Sequence, residues 1–240
     1  MCAGSSDSVA IAEIVAHVGG KCGRHVWAAP GMMGDMTTAK FDPKREIASY
    51  TAPRDGFELV EVPPLRYAMI DGRDDPNTAP EYVAAVEALY AVSYAAKFAL
   101  KRELGRDHVV GPLEGLWTAD DPAAFVTREK SAWSWTMMIW QPDWLTPDVF
   151  DAAVAKAAAK APAATGLRLE TLDEGLCVQT LHLGSYDDEG PTLARLHDEF
   201  MPERGLRFHG AHHEVYLGDP RRTAPGKLRT ILRQPVAREA

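Results

Sequence analysis

From residue 57 onward the chain alternates short apolar runs of period two with stretches of helical period, and the order of these runs repeats. Phe57 to Ile70 reads as a strand broken at Pro63-Pro64, since proline cannot donate to a ladder and confines a strand to an edge or a bulge. After the Asp74-Asp75-Pro76-Asn77 turn, Thr78-Ala79-Pro80-Glu81 matches a capping box and opens the longest helix, ending near Leu104 where Gly105 stops it. Val83, Val86, Tyr90, Tyr94 and Phe98 form its apolar stripe. Val109 to Trp117 and Trp133 to Trp140 then read as strands. Alternation sends Trp133, Trp135, Met137 and Ile139 to one face and Ser134, Thr136, Met138 and Trp140 to the other. Thr146-Pro147-Asp148 caps a connecting helix that runs to about Lys160.

The second half follows the same plan. Strands are predicted near Leu167–Leu172 and Leu176–Leu183, a helix over about Glu189–Met201, and strands over His212–Leu217 and Lys227–Val236. Two copies of strand, helix, strand, strand imply a duplicated unit: half one 57–142, a connecting helix 146–161, and half two 166–237. Each copy places a glutamate in a strand that ends in an Asp-Pro turn, Glu114 before Asp121-Pro122 and Glu214 before Asp219-Pro220. His212, Glu214 and Tyr216 share one face of their strand, with His213, Val215 and Leu217 on the other. A glutamate inside a strand costs free energy unless it meets a donor or a cationic ligand, so it closes an ion pair or awaits a ligand.

Residues 1–40 differ from the rest, with Gly-Ser patches around one short apolar stretch, and read as a weakly ordered extension; Met36 offers an alternative start. Composition narrows the chemistry. The chain of 240 residues is 46% hydrophobic and 25% charged, which suits one globular domain. A net charge of -8 without a basic tract argues against a nucleic-acid partner. Cys2, Cys22 and Cys177 are odd in number and scattered, so neither a disulfide framework nor a thiolate metal site is expected, and a cytoplasmic location is. No apolar run reads as membrane-spanning and no signal peptide is apparent.

His209, His212, His213 and Glu214 invite a metal assignment, but His213 and Glu214 leave opposite faces of a strand and no His-Glu-x-x-His helix occurs, so no metal is expected. No glycine run precedes a helix to cradle phosphate, and no serine or cysteine sits in an activated setting, so no cofactor and no covalent nucleophile are expected.

The element order, Pro112-Leu113-Glu114-Gly115-Leu116-Trp117 and His213-Glu214-Val215-Tyr216-Leu217-Gly218-Asp219-Pro220-Arg221-Arg222 together resemble the GyrI-like small-molecule-binding family. Ser93 to Phe98, Gln141-Pro142-Asp143 and Lys227 to Val236 extend the likeness over about residues 41–237. The resemblance implies an α+β fold: duplicated strand-helix-strand-strand units with pseudo-two-fold symmetry, an antiparallel sheet with helices on one side, and a ligand cleft between the halves.

It also implies a stand-alone protein similar to the subgroup that hydrolyses cyclopropane-bearing DNA alkylators. Glu214 would be the general base and Tyr94, or Tyr90, the donor to the oxygen on which charge develops. Trp117, Trp135, Trp140 and Tyr216 would face the flat ligand, with Glu114 orienting water or serving as structural counterpart. Thr118, where an aromatic is expected, and Trp140 depart from the subgroup pattern. A second reading of the same residues is a module that sequesters cationic aromatic drugs without chemistry.

Overall fold

The computed structural model describes residues 40–121, 123–220 and 222–239. The expected N-terminal extension lies outside them. Among the described residues nine strands form one antiparallel sheet: β1 (Glu58–Val62), β2 (Leu65–Arg73), β3 (Leu113–Ala119), β4 (Trp133–Trp140), β5 (Arg168–Leu172), β6 (Gly175–Leu183), β7 (Leu206–Phe208), β8 (His212–Tyr216) and β9 (Arg229–Arg238). The order across the sheet is β1-β6-β9-β8-β3-β4-β2-β5, with β7 added against β9. The fold is α+β and duplicated, as expected.

The first predicted strand is two strands, because Pro63-Pro64 interrupts it. They belong to different neighbourhoods: β1 pairs with β6 of the second half, while β5 crosses back to pair with β2 of the first. Each half therefore lends its leading strand to the other. The halves meet at the centre, where β3 runs antiparallel to β8 with Gly115 opposite Glu214 and Glu114 opposite Val215.

The long helix α1 (Pro80–Leu104) and the connecting helix α2 (Pro147–Ala158) cover one sheet face, where Ala68, Ile70, Leu113, Met137 and Ile139 are buried. The Thr78 capping box does not form. Ala79 is the cap residue without a side-chain bond, and the Asp75 carbonyl accepts the Thr78 and Ala79 amides instead. Proline at the first helical position makes that tolerable, since its missing amide would have had no intrahelical partner. Gly105 ends the helix at φ 66°, a left-handed conformation suited to glycine. Thr146 caps α2 as expected, accepting from the Val149 amide at 3.4 Å. By length and composition α1 could cross a membrane, contrary to the sequence expectation, yet it lies on the sheet with half of its most apolar window buried.

The second-half helix, α3, is a composite of α-helical Gly190–Ala194, π-helical Arg195–Phe200 and α-helical Met201–Glu203. Pro202 cannot donate to the carbonyl four residues back and crowds it, which accounts for the widened turn just before it. Leu196 and Met201 pack on Val178 and Val236 of the same sheet face.

The opposite face is covered by the segment 41–53, whose Tyr50, Phe41 and Ile47 pack on Tyr67, Met69, Met138, Trp140, Val215 and Ile231. Beneath Tyr50 lies a buried charge network. His213 Nε2 is 3.0 Å from Glu114 and its Nδ1 is 2.9 Å from Glu174, which in turn accepts from Arg233 at 2.9 Å. The Tyr50 hydroxyl donates to Glu114, and Arg233 donates to the Ser49 carbonyl at 2.6 Å.

Candidate functional site

Over the junction of β3 and β8, between the β2–α1 turn and the start of α3, the helix-bearing face opens into a cleft with about 110 Å³ of water-accessible space. Its walls are aromatic: Trp117 and Trp133 from the first half, Tyr186 and Tyr216 from the second. Three carboxylates stand among them, Glu189 and Glu214 within and Asp187 beside the cations Arg128 and Lys130. A concavity that gathers aromatic rings around a few convergent polar groups is a common form of small-molecule site.

Glu214 reaches the cleft because β8 alternates, which sends His212, Glu214 and Tyr216 to the helix side. Across the pairing stands Gly115, which has no side chain to block it. The Tyr216 hydroxyl donates to Glu214 Oε2 at 2.7 Å and accepts from the Trp117 indole at 3.1 Å. This chain, indole to phenol to carboxylate, ties both halves to one carboxylate. The Tyr186 ring meets Tyr216 edge-on at 5.4 Å. Burial, reinforced by Glu214, pushes the Tyr216 and Tyr186 phenols up, so both remain neutral donors.

Glu189, at the start of α3, is 5% exposed and its Oε1 is buried without a hydrogen-bond partner. Burial and the neighbouring Glu214 carboxylate push it well above the usual carboxylate range. The cleft thus sets one carboxyl group whose ionisation is opposed by burial beside another that accepts a hydrogen bond from a phenol. At the mouth, Arg128 donates to the Asp187 side chain and, at 3.0 Å, to its carbonyl, linking the halves again.

Of the residues singled out in the sequence, Glu214, Trp117 and Tyr216 converge here. Tyr90 is part-buried on α1 and near enough to Tyr186 to influence it. Trp135 lies on the helix-bearing face but is 2% exposed, buried edge-on against Tyr82 beneath the cleft. Three others lie elsewhere. Tyr94 is 41% exposed and stacked with Phe98 on the outer face of α1, one position past the stripe that turns inward. Trp140 faces the opposite side of the sheet, stacked on Phe41 at 5.3 Å. Glu114 is not the counterpart of Glu214: the register sends it to the opposite face, where it is fully buried against His213 and Tyr50.

The residue pattern does not single out Glu189, Tyr186 or Trp133, which also line the cleft. An acid ahead of Gly190-Pro191 reads as an ordinary helix-start residue, and only the packing of α3 against β8 buries it. Trp133 was on the correct face by alternation, but nothing local distinguished it from Trp135. Among the described residues no group of three or more His, Cys, Asp or Glu side chains is arranged to hold a metal ion.

The model of the GyrI-like small molecule binding domain matches residues 56–237. A crystal structure of an uncharacterized conserved protein from Listeria innocua is 39% identical and superposes with a TM-score of 0.75, covering 82% of this chain and all of that one. Two crystal structures described as hydrolases from Listeria innocua are 38% and 37% identical, with TM-scores of 0.73 and 0.71 and the same coverage. EcmrR, in a cryo-EM structure of its DNA complex, is 11% identical with a TM-score of 0.50 over 77% of this chain and 58% of that one, and shares the fold. No curated protein matches the chain.

Proposed function

This chain belongs to the GyrI-like small-molecule-binding family, and on that premise we propose that its cleft hydrolyses an electrophilic aromatic compound of the cyclopropane-bearing alkylator kind. The observation that carries this reading is the pairing of Glu214 with Glu189, whose pKa burial and Glu214 raise, inside one aromatic-walled cleft. Glu214 takes a proton from water as the water oxygen bonds to the strained ring carbon. The carbon–carbon bond of the ring breaks, and the electron pair moves to the conjugated oxygen, which receives the Glu189 proton. The proton on Glu214 then restores Glu189 for the next cycle, so the net reaction is addition of one water. Trp117 and Trp133 hold the flat ligand by ring contact, and the hydrolase descriptions of two relatives about 38% identical support the assignment.

A binding role without chemistry uses the same groups, since aromatic rings around a carboxylate suit a cationic aromatic ligand. Incubation with excess alkylator and mass spectrometry separates the two. Hydrolysis predicts ring-opened product exceeding the protein, and a loss on Glu214→Gln of roughly 10²-fold or more, the usual scale for removing a general base. Stoichiometric protection with quenched tryptophan emission and no product would instead make this a sequestering module.

A further inference from the structure

Glu214 is anchored at one oxygen by Tyr216, and its other oxygen faces His212. The two side chains leave the same face of β8 and are nearly equally sheltered, 14% and 13% exposed. His212 Nε2 lies 3.5 Å from Glu214 Oε1, just beyond a good hydrogen bond. Both ring nitrogens of His212 are buried without a hydrogen-bond partner. Two buried polar atoms in that state are costly, and a small ring rotation toward Glu214 relieves one of them.

The groups around the imidazole direct it toward Glu214. His197, on the π-helical turn of α3, stands edge-on to His212 with ring centroids 6.4 Å apart. Burial, reinforced by His212, lowers its pKa to about 4, so it carries no charge at neutral pH; Asp198 beside it acts in the opposite direction. On the other side the register places Trp117 of β3 opposite His212. Glu214 is then the anionic partner that the imidazole meets on its own strand.

We propose that His212 is a positioning residue for Glu214, its imidazole carrying the proton on Nε2 and donating to Oε1 while Tyr216 holds Oε2. The inference deepens the reading of Glu214 as the working carboxylate of the cleft and rests on it. Two donors, one on each oxygen of Glu214, fix the plane of the carboxylate and its direction into the cleft.

Nitrogen-15 imidazole spectra of the full chain test this without requiring turnover. The expected result is a neutral His212 protonated at Nε2, whose titration midpoint falls in Glu214→Gln because an anionic neighbour is lost. A proton on Nδ1, or a midpoint indifferent to Glu214→Gln, would overturn the proposal. With an alkylator as substrate, His212→Leu should lower kcat roughly tenfold, the weak end of a hydrogen bond to a charged group, with KM within about twofold and the acid limb of the rate profile moved to higher pH. His212→Gln, which retains an N–H donor, should recover most of the rate; equal losses in both variants would mark a packing role and overturn the proposal. A wild-type protein without turnover would sink the hydrolase reading, while the spectra would still decide the role of His212.

Discussion

Glu174 and Glu189 are both almost wholly buried, and their neighbours drive them in opposite directions. Burial raises both, but His213 and Arg233 beside Glu174 overcome it and lower its pKa to about 2, whereas Glu214 beside Glu189 adds to it. The consequences for stability have opposite signs. Glu174 contributes stability above its unfolded value, about 4.3, and that contribution is lost as pH falls toward 2. Glu189 destabilises the fold as pH rises from about 4.3 through its elevated value, because ionising it in place is costly. Urea titrations across pH should therefore show Glu189→Gln flattening the decline within that window. Glu174→Gln should cost roughly 3–5 kcal/mol at pH 7, since it removes the carboxylate paired with the buried Arg233 and leaves His213 with Glu114 alone. A Glu174→Gln protein as stable as wild type at pH 7 would mean that the network is not charged as drawn. None of this polarity was legible in the residue types. Glu114 and Glu214 looked alike in sequence, each a glutamate in a strand before an Asp-Pro turn, yet one is a buried structural ion and the other lines the cleft.

Elements were the most legible scale, because they are set by local periodicity, prolines and glycines. The long helix, its stop at Gly105, the Thr146 cap and the two glutamate strands all appear where the pattern places them. What failed were features that depend on a neighbouring element. The capping box at Thr78 lost to Asp75, whose carbonyl and side chain organise the turn. The π-helical turn of α3 comes from Pro202, and a helical-period scan does not register it. Between β2 and β4 the fit is tight: a Cβ added at Gly72 would lie 2.0 Å from the Trp135 ring. Trp135 is itself buried edge-on against Tyr82 of α1, so it cannot swing aside freely. Gly72→Ala should lower stability by about 1–3 kcal/mol or more in chemical denaturation, the range for overpacking a core. A neutral effect would show that the indole relocates.

At the scale of the molecule, the two halves are interlocked rather than merely adjacent. β1 and β5 each complete the other half, and the segment 41–53 seals the buried charges from the face opposite the cleft. Although the family match begins at residue 56, a chain begun there would lose the Tyr50 hydroxyl on Glu114 and the Ser49 carbonyl on Arg233. Such a chain should unfold at distinctly lower urea than one begun at Lys40; equal midpoints would make the segment dispensable. The sequence alone carried the duplicated strand and helix plan, the side of β8 on which Glu214 emerges, and the family resemblance, because periodicity and short motifs are local properties. Tertiary structure alone chose the β3–β8 register that sends Glu114 to one face and Glu214 to the other. It also exchanged the leading strands and buried Glu189 beside Glu214. Those outcomes depend on which distant surfaces meet, and a one-residue change of register moves every side chain to the opposite face without altering the pattern of the strand itself.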